Sequence, residues 1–423
     1  MEQLMQYVWK FGLFDKSELH TTDGVPFEII DPGIINTNSG PDFFNAKIKY
    51  KDTIWAGNVE LHNNSSDWYN HNHHKDRAYD SVILNVVLNK DTEIFRIDGD
   101  KINQFKLSIP DSFIKDVEFL CARAPDYPAC LCSLGKIDKM YIEDWFCALS
   151  NQRLINKSKR IYELVDIYKG NWEEVFYIIL SRSFGTGINS DSFERMARSL
   201  PFNYILKHLD SRLQTEALFF GQAGFLCDNF SDPYYLLLKR EYGLLKTKFK
   251  LKNIDKSSWK LFRLRPNSFP QLRIAFLASL FYTKKRLPSL IIDARSLTVL
   301  RELFDLKLSS FWDKHYQFED HSETKEKSLG TQTIDSIIIN SVVPFLFAYG
   351  YRTGNEKCQQ KALYFLENIP PENNKFVRMW SSNGMPVKNA FDSQAIIELQ
   401  RNYCETKKCM FCRIGHKLLS QKF

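Results

Sequence analysis

NSGPDFFNAKIKYKDTIWAGNVELH, residues 38–62, decides how the first part of this chain folds. Asn45–Tyr50 and Thr53–Leu61 read as two strands joined at Lys51-Asp52, a tight hairpin. If the hairpin is centred between residues 51 and 52, cross-strand partners sum to 103, and Asp42 faces position 61. That is one residue from both Glu60 and His62, and a bulge or a shifted turn would move the register by one. Strand alternation puts Glu60 and His62 on one face and Val59 and Leu61 on the other. The turn therefore gathers two carboxylates and an imidazole from separate parts of the sequence.

Two carboxylates with free oxygens suit a hard divalent cation, Mg²⁺ or Mn²⁺, that keeps open positions for water and a phosphate. Such an ion activates the water and stabilises the leaving oxygen. The plainer reading is a sheet-edge Asp42 and Glu60 paired with nearby lysines. Four of the nine histidines fall between His62 and His74. His71 and His73 sit beside Asp67, either as a second metal or phosphate contact or as an exposed polar loop.

Outward from the hairpin, residues 2–13 repeat apolar side chains at helical spacing. Residues 25–30 form a strand closed by Asp31-Pro32-Gly33. A polar, partly helical segment runs from Asn63 to Tyr79. Ser81–Leu88 is β-branched and reads as a buried strand, with Glu93–Ile97 as its expected partner. From about Asp138 the pattern changes to long helices at 141–168, 173–184, 213–226, 271–282 and 335–349. The class is α+β. An α/β domain spans residues 1–124, a linker around Pro125–Cys132 spans 125–137, and a mostly helical region follows at 138–423. Gly185-x-Gly187 lacks the strand-then-helix setting of a phosphate loop and reads as a turn.

A chain of 423 residues with 44% hydrophobic and 25% charged residues is an ordinary folded protein with room for two or three domains. No run of about 18 apolar residues occurs, so no membrane span is expected. The N-terminal residues lack the layout of a secretory signal. Nine scattered cysteines fit a reducing cytosol better than a disulfide framework. Cys404-x4-Cys409-x2-Cys412-x3-His416 is a set for tetrahedral zinc. Cys130 or Cys132 can replace His416 there, completing a four-cysteine site or an iron–sulfur cluster, and unlinked thiols are the alternative. Between Lys239 and Arg265 ten basic residues face only Glu241 and Asp255, a surplus of eight against +7 for the whole chain. Lys246, Lys248, Lys250, Lys252, Arg263 and Arg265, interleaved with Phe249, Trp259 and Phe262, can neutralise phosphates and stack on bases. A solvated face with its aromatics turned inward is the competing reading.

The helix–strand–strand–strand order, Pro41-Asp42 and Glu60-x-His62 resemble the PD-(D/E)XK, or restriction-endonuclease-like, superfamily. The resemblance implies that Asp42 and Glu60 bind the metal and that Glu2, on the first helix, assists. His62 departs from the pattern, standing where the superfamily usually has lysine. Over nearly its whole length the chain also resembles an uncharacterised family of bacterial proteins. The matching stretches are Gly40-Pro41-Asp42-Phe43, Asn58-Val59-Glu60-Leu61-His62, Ser66-Asp67-Trp68, Phe220-Gly221-Gln222-Ala223-Gly224, Arg265-Pro266-Asn267 and the C-terminal Cys409-x2-Cys412. The expectation is a metal-dependent, nuclease-like phosphodiesterase. The alternative is a nucleic-acid- or protein-binding protein that keeps the fold without turnover.

Overall fold

The computed structural model describes residues 1–122 and 127–420. Its contacts divide the chain into two units, Met1–Lys139 together with the chain from Arg401 onward, and Met140–Gln400.

The first unit opens with helix α1 (Glu2–Phe11), which buries Leu4, Met5, Tyr7, Val8 and Trp9. It ends where Gly12 takes the left-handed conformation at φ 61°. A six-stranded sheet follows: β1 (Phe27–Asp31), β2 (Ile34–Ile35), β3 (Phe43–Tyr50), β4 (Thr53–Asn64), β5 (Val82–Asn89) and β6 (Gln104–Lys106). The order is β1-β3-β4-β5-β6, with β2 on the flank of β3. Strands β1, β3 and β4 pair antiparallel, whereas β5 runs parallel to both β4 and β6. Residues 82–87 of β5 are all buried, as an apolar central strand requires when both its faces are covered. Leu4, Met5, Val8, Phe43, Ile48, Val59, Leu61, Leu84 and Val86 share one core. The helix, three main antiparallel strands, connecting segment and parallel strand thus occur in the expected order, and the fold is α+β.

Three expectations need correction. Glu93–Ile97 is not the partner of β5, whose neighbour is Gln104–Lys106. Only Phe95 of that segment makes a bridge, to Lys101, while Ile94 packs against Trp68. Pro125 and Asp126 lie outside the described residues, but the rest of the expected linker is ordered. Residues 129–136 form a 3₁₀ helix that buries Ala129, Leu131 and Leu134. The C-terminal cysteine segment groups with the first unit, because Leu419 and Met410 join its core and Tyr7 Oη contacts His416 Nδ1 at 2.8 Å.

The second unit is helical throughout its described elements. The five expected helices fall at Lys139–Ile167, Trp172–Phe184, Arg212–Gln222, Pro270–Thr283 and Thr331–Thr353. Thr331–Thr353 has the length and mean hydropathy of a membrane span, yet 67% of its apolar window is buried inside the protein. It is a core helix by that measure, with Ile337, Ile338, Val342, Val343 and Leu346 in the main apolar cluster.

Candidate functional site

The register of the hairpin sets the site. Tyr50 lies opposite Thr53 and Ala46 opposite Gly57, but Phe43 lies opposite Val59. The one-residue shift is a bulge, with Asn45 at φ 56°, a conformation Asn tolerates better than most residues. Its N–H donates to Asn58 Oδ1 at 3.2 Å. Carried forward, the shift brings Asp42 level with Glu60 rather than with position 61. The Asp42 N–H donates to Glu60 Oε2 at 2.9 Å, and the Leu61 N–H donates to Asp42 Oδ2 at 3.0 Å. Gln6 of α1 donates its amide to Asp42 Oδ1 at 2.7 Å.

Glu60 and His62 project from one face of β4, and both are buried. The segment after β4 folds over that face. Helix α2 (Asp67–Asn70) ends at His71, and Asn72 then adopts φ 62°. This turn brings His71 and His73 back toward His62. The three rings form a nearly equilateral triangle, with centroids 5.3, 5.3 and 5.4 Å apart. Their ligating nitrogens all lie within 4.8 Å of one another. Glu60 Oε1 is 3.4 Å from His73 Nε2 and 3.8 Å from His62 Nε2. Trp68, fully buried, sets its ring edge-on to His62 and His73, and Tyr79 stacks on His73 at 3.8 Å.

Burial holds the Asp42 carboxyl well above its ordinary range, and the neighbouring Glu60 charge adds to this. Burial raises Glu60 likewise, against the pull of the Asp42 N–H and with help from the Glu2 charge. Burial pushes the His62 imidazole down to about 4, although its hydrogen bond with Asn85 acts the other way. His73 is also lowered to about 4, chiefly by burial. Near neutral pH the site therefore holds a strained carboxyl pair beside uncharged imidazoles.

Glu2 is exposed and acts on the pair only through its charge. Asp67 is held low by the Asn64 N–H, which it accepts at 3.0 Å. That bond fixes the start of α2. Gln6, Tyr79 and Asn85 carry no motif, so sequence spacing gave no signal for them, whereas Trp68 lies in the Ser66-Asp67-Trp68 stretch without a role that spacing assigns.

The thiols gather elsewhere in the first unit. Burial raises Cys130 to about 12, with Cys412 nearby adding to it. Burial also raises Cys404, beside Cys130 and Cys412. Cys409 Sγ lies 3.3 Å from the Leu120 carbonyl, and Cys121 is its hydrogen-bond neighbour. His416 turns toward Tyr7, and its ring packs on Phe11 at 4.3 Å. Cys130 thus lies nearer these thiols than His416 does, and Cys132 is exposed, but among the described residues no three thiols come within 4.8 Å of one another.

In the second unit Lys246, Lys248, Lys250, Lys252, Arg263 and Arg265 are all exposed. Their aromatics divide. Trp259 is buried and donates to the Ala223 carbonyl, and Phe249 stacks on Tyr204 at 4.4 Å. Phe262 is 79% exposed and lies under the Arg263 guanidinium. Only one of the three interleaved rings is available for stacking on a ligand.

The chain belongs to the family described as "protein of unknown function (DUF2851)", which matches residues 2–375. The carboxylate pair, the histidines and the basic stretch all fall inside the match, whereas Cys404–His416 falls outside it. No curated protein and no solved structure matches the chain.

Proposed function

We propose that this chain is a metal-dependent phosphodiesterase of nuclease type that acts on nucleic acid in the cytosol. Asp42, Glu60 and His62 form its reacting centre. The observation that carries this reading is the bulge at Asn45, which draws Asp42 level with Glu60 on the face that also bears His62.

The residues fit a divalent ion. Glu60 spends Oε2 on the Asp42 N–H and keeps Oε1 on the side of the imidazoles. Asp42 accepts one hydrogen bond on each oxygen. A carboxylate offers about four lone-pair positions, so both groups retain ligating capacity. Mg²⁺ or Mn²⁺ bound there would compensate the pair's charge and acidify a water.

The chain's own groups do the rest. Neutral His62, with Nε2 turned toward Glu60, is placed to complete the shell of that ion. Asn85 fixes that ring through Nδ1 at 2.9 Å. Gln6 and the Leu61 N–H hold Asp42 in orientation. Trp68, fully buried, packs edge-on against His62 and His73. The exposed basic side chains of 246–265 support a polyanionic substrate.

The test is incubation of wild type, Asp42→Ala and Glu60→Ala with labelled single- and double-stranded DNA and RNA, with Mg²⁺ and Mn²⁺ in turn. Cleavage by wild type and its loss in both variants is expected. Wild type that cuts none of the four substrates with either ion would refute the reading.

The second reading is a binding protein that keeps the fold without turnover. It is favoured by the histidine at position 62 in place of lysine and by the hydrogen bonds already made to both Asp42 oxygens. Retention of nucleic acid without cleavage in the same assay selects it.

A further inference from the structure

We infer that His62, His71 and His73, with Glu60, form a binding site for one transition-metal dication of the manganese-to-zinc series. The inference rests on the reading above for its place in the protein and deepens it by naming the class of ion, but binding is measurable without turnover.

The distances suit shared ligation better than mutual hydrogen bonding. Imidazole–metal bonds of about 2.0–2.1 Å in a tetrahedral shell place neighbouring ligand atoms about 3.3 Å apart. Glu60 Oε1 stands 3.4 Å from His73 Nε2 and 3.8 Å from His62 Nε2, beyond the usual hydrogen-bond length. The nitrogens of all three rings gather within 4.8 Å.

His62 Nε2 and His73 Nε2 are buried and have no hydrogen-bond partner, a costly state for polar atoms in a folded protein. His62 itself is only 2% exposed. Its tautomer is set from behind, because Asn85 Oδ1 can only accept and so takes the Nδ1 proton at 2.9 Å. The Nε2 lone pair is left pointing into the cluster, the arrangement by which outer groups prepare a metal-binding histidine. His71 is exposed and marks the solvent side of the site.

An all-carboxylate site would prefer Mg²⁺, whereas three imidazoles shift preference to softer ions that bind nitrogen. Asp42 lies next to this set, tied to it through Glu60 Oε2.

The experiment titrates Co²⁺ into full-length, chelator-treated protein and follows its visible absorption. Thiolate-bound Co²⁺ is separated by its strong near-ultraviolet charge-transfer band. About one equivalent of nitrogen- and oxygen-ligated Co²⁺ per chain is expected. Because His71 is exposed, His71→Ala leaves the core intact, and it should weaken this binding at least tenfold, roughly the scale seen when metal-site partners are lost. His74→Ala, one residue beyond the set, should leave it unchanged.

Wild type with no such equivalent, or His71→Ala that binds as wild type does, overturns the inference. The two readings also fail separately. Histidine-dependent Co²⁺ binding without cleavage of any nucleic acid sustains this inference and removes the hydrolytic reading. Cleavage supported by Mg²⁺ that is indifferent to His71→Ala, with no histidine-dependent Co²⁺, does the reverse.

Discussion

Replacing Asp42 by Ala and by Asn separates what its carboxylate does for the fold from what its charge does in the site. In the folded chain Oδ2 accepts the N–H of Leu61, a residue with no exposed surface, and Oδ1 accepts the Gln6 amide. Asp42→Ala strands the Leu61 N–H, and a buried donor left unpaired costs about 1–3 kcal/mol. Asn keeps an oxygen for Leu61, and Gln6 can turn its amide to accept from the new NH₂. Asp42→Asn also removes a charge that burial and Glu60 make unfavourable. Metal-free Asp42→Asn should therefore match or exceed wild type in stability, while Asp42→Ala, which loses the same charge but strands the Leu61 N–H, should fall about 1–3 kcal/mol below Asp42→Asn. The pH dependence follows in sign. Because the folded-state pKa is raised from 3.8, the native protein holds the proton more tightly than the unfolded chain. Wild-type stability from this group is full below the unfolded value and is lost as pH rises toward the folded one. The gap between Asp42→Asn and wild type should thus widen from about pH 4 upward. Urea unfolding with chelator present, followed by circular dichroism at several pH values, measures both effects. An Asp42→Asn protein as unstable as Asp42→Ala, at every pH, would refute the reasoning.

Purified, unchelated protein should carry roughly one zinc at Cys130, Cys404, Cys409 and Cys412. Cys130→Ser should then release it and lower Tm while Cys132→Ser does not, as elemental analysis and thermal melts will show. A Cβ on Gly415 would come within 2.1 Å of the Cys409 carbonyl oxygen, so Gly415→Ala should weaken the same metal and the same melt. Replacing Lys246, Lys248, Lys250 and Lys252 with Gln should lower nucleic-acid affinity and flatten its dependence on log salt by about 0.7–0.9 for each phosphate no longer neutralised. Unchanged affinity would leave that stretch a solvated face. If His62 stands in for the lysine of the superfamily that the motif resembles, His62→Lys should keep cleavage and lose any preference for Mn²⁺ over Mg²⁺ in parallel assays.

Alternation along 45–61 made the hairpin and the shared face of Glu60 and His62 legible in the sequence, because side-chain direction in a strand follows a period of two. The bulge was not legible. It depends on Asn45 entering the left-handed region, which many asparagines do not do, and it moves Asp42 by the one residue that matters. Glu93–Ile97 misled because its composition is strand-like, whereas Ile94 is taken up by Trp68 and the real partner, Gln104–Lys106, is three residues long. His71 and His73 lie in a polar segment whose convergence on His62 turns on Asn72 at φ 62°. Phe249 and Trp259 looked like stacking faces but serve their own core. The placement of His416 beside Tyr7 spans 409 positions, beyond any local pattern.

The histidines at positions 62, 71 and 73 are placed to act as one set. A lysine at a site only 2% exposed would carry a fixed charge into a low-dielectric pocket, tolerable only against Glu60 and Asp42. An imidazole there is neutral, so it cannot balance the two carboxylates. The balance comes from a retained proton or from a bound cation, since no lysine or arginine is paired with either carboxylate among the described residues. The three imidazoles can supply the cation by holding a dication, whose two charges exceed the one that a lysine would bring. Each extra imidazole then favours the same ion that His62 needs. Without a cation held there, burial and mutual repulsion leave the carboxyl pair holding a proton instead.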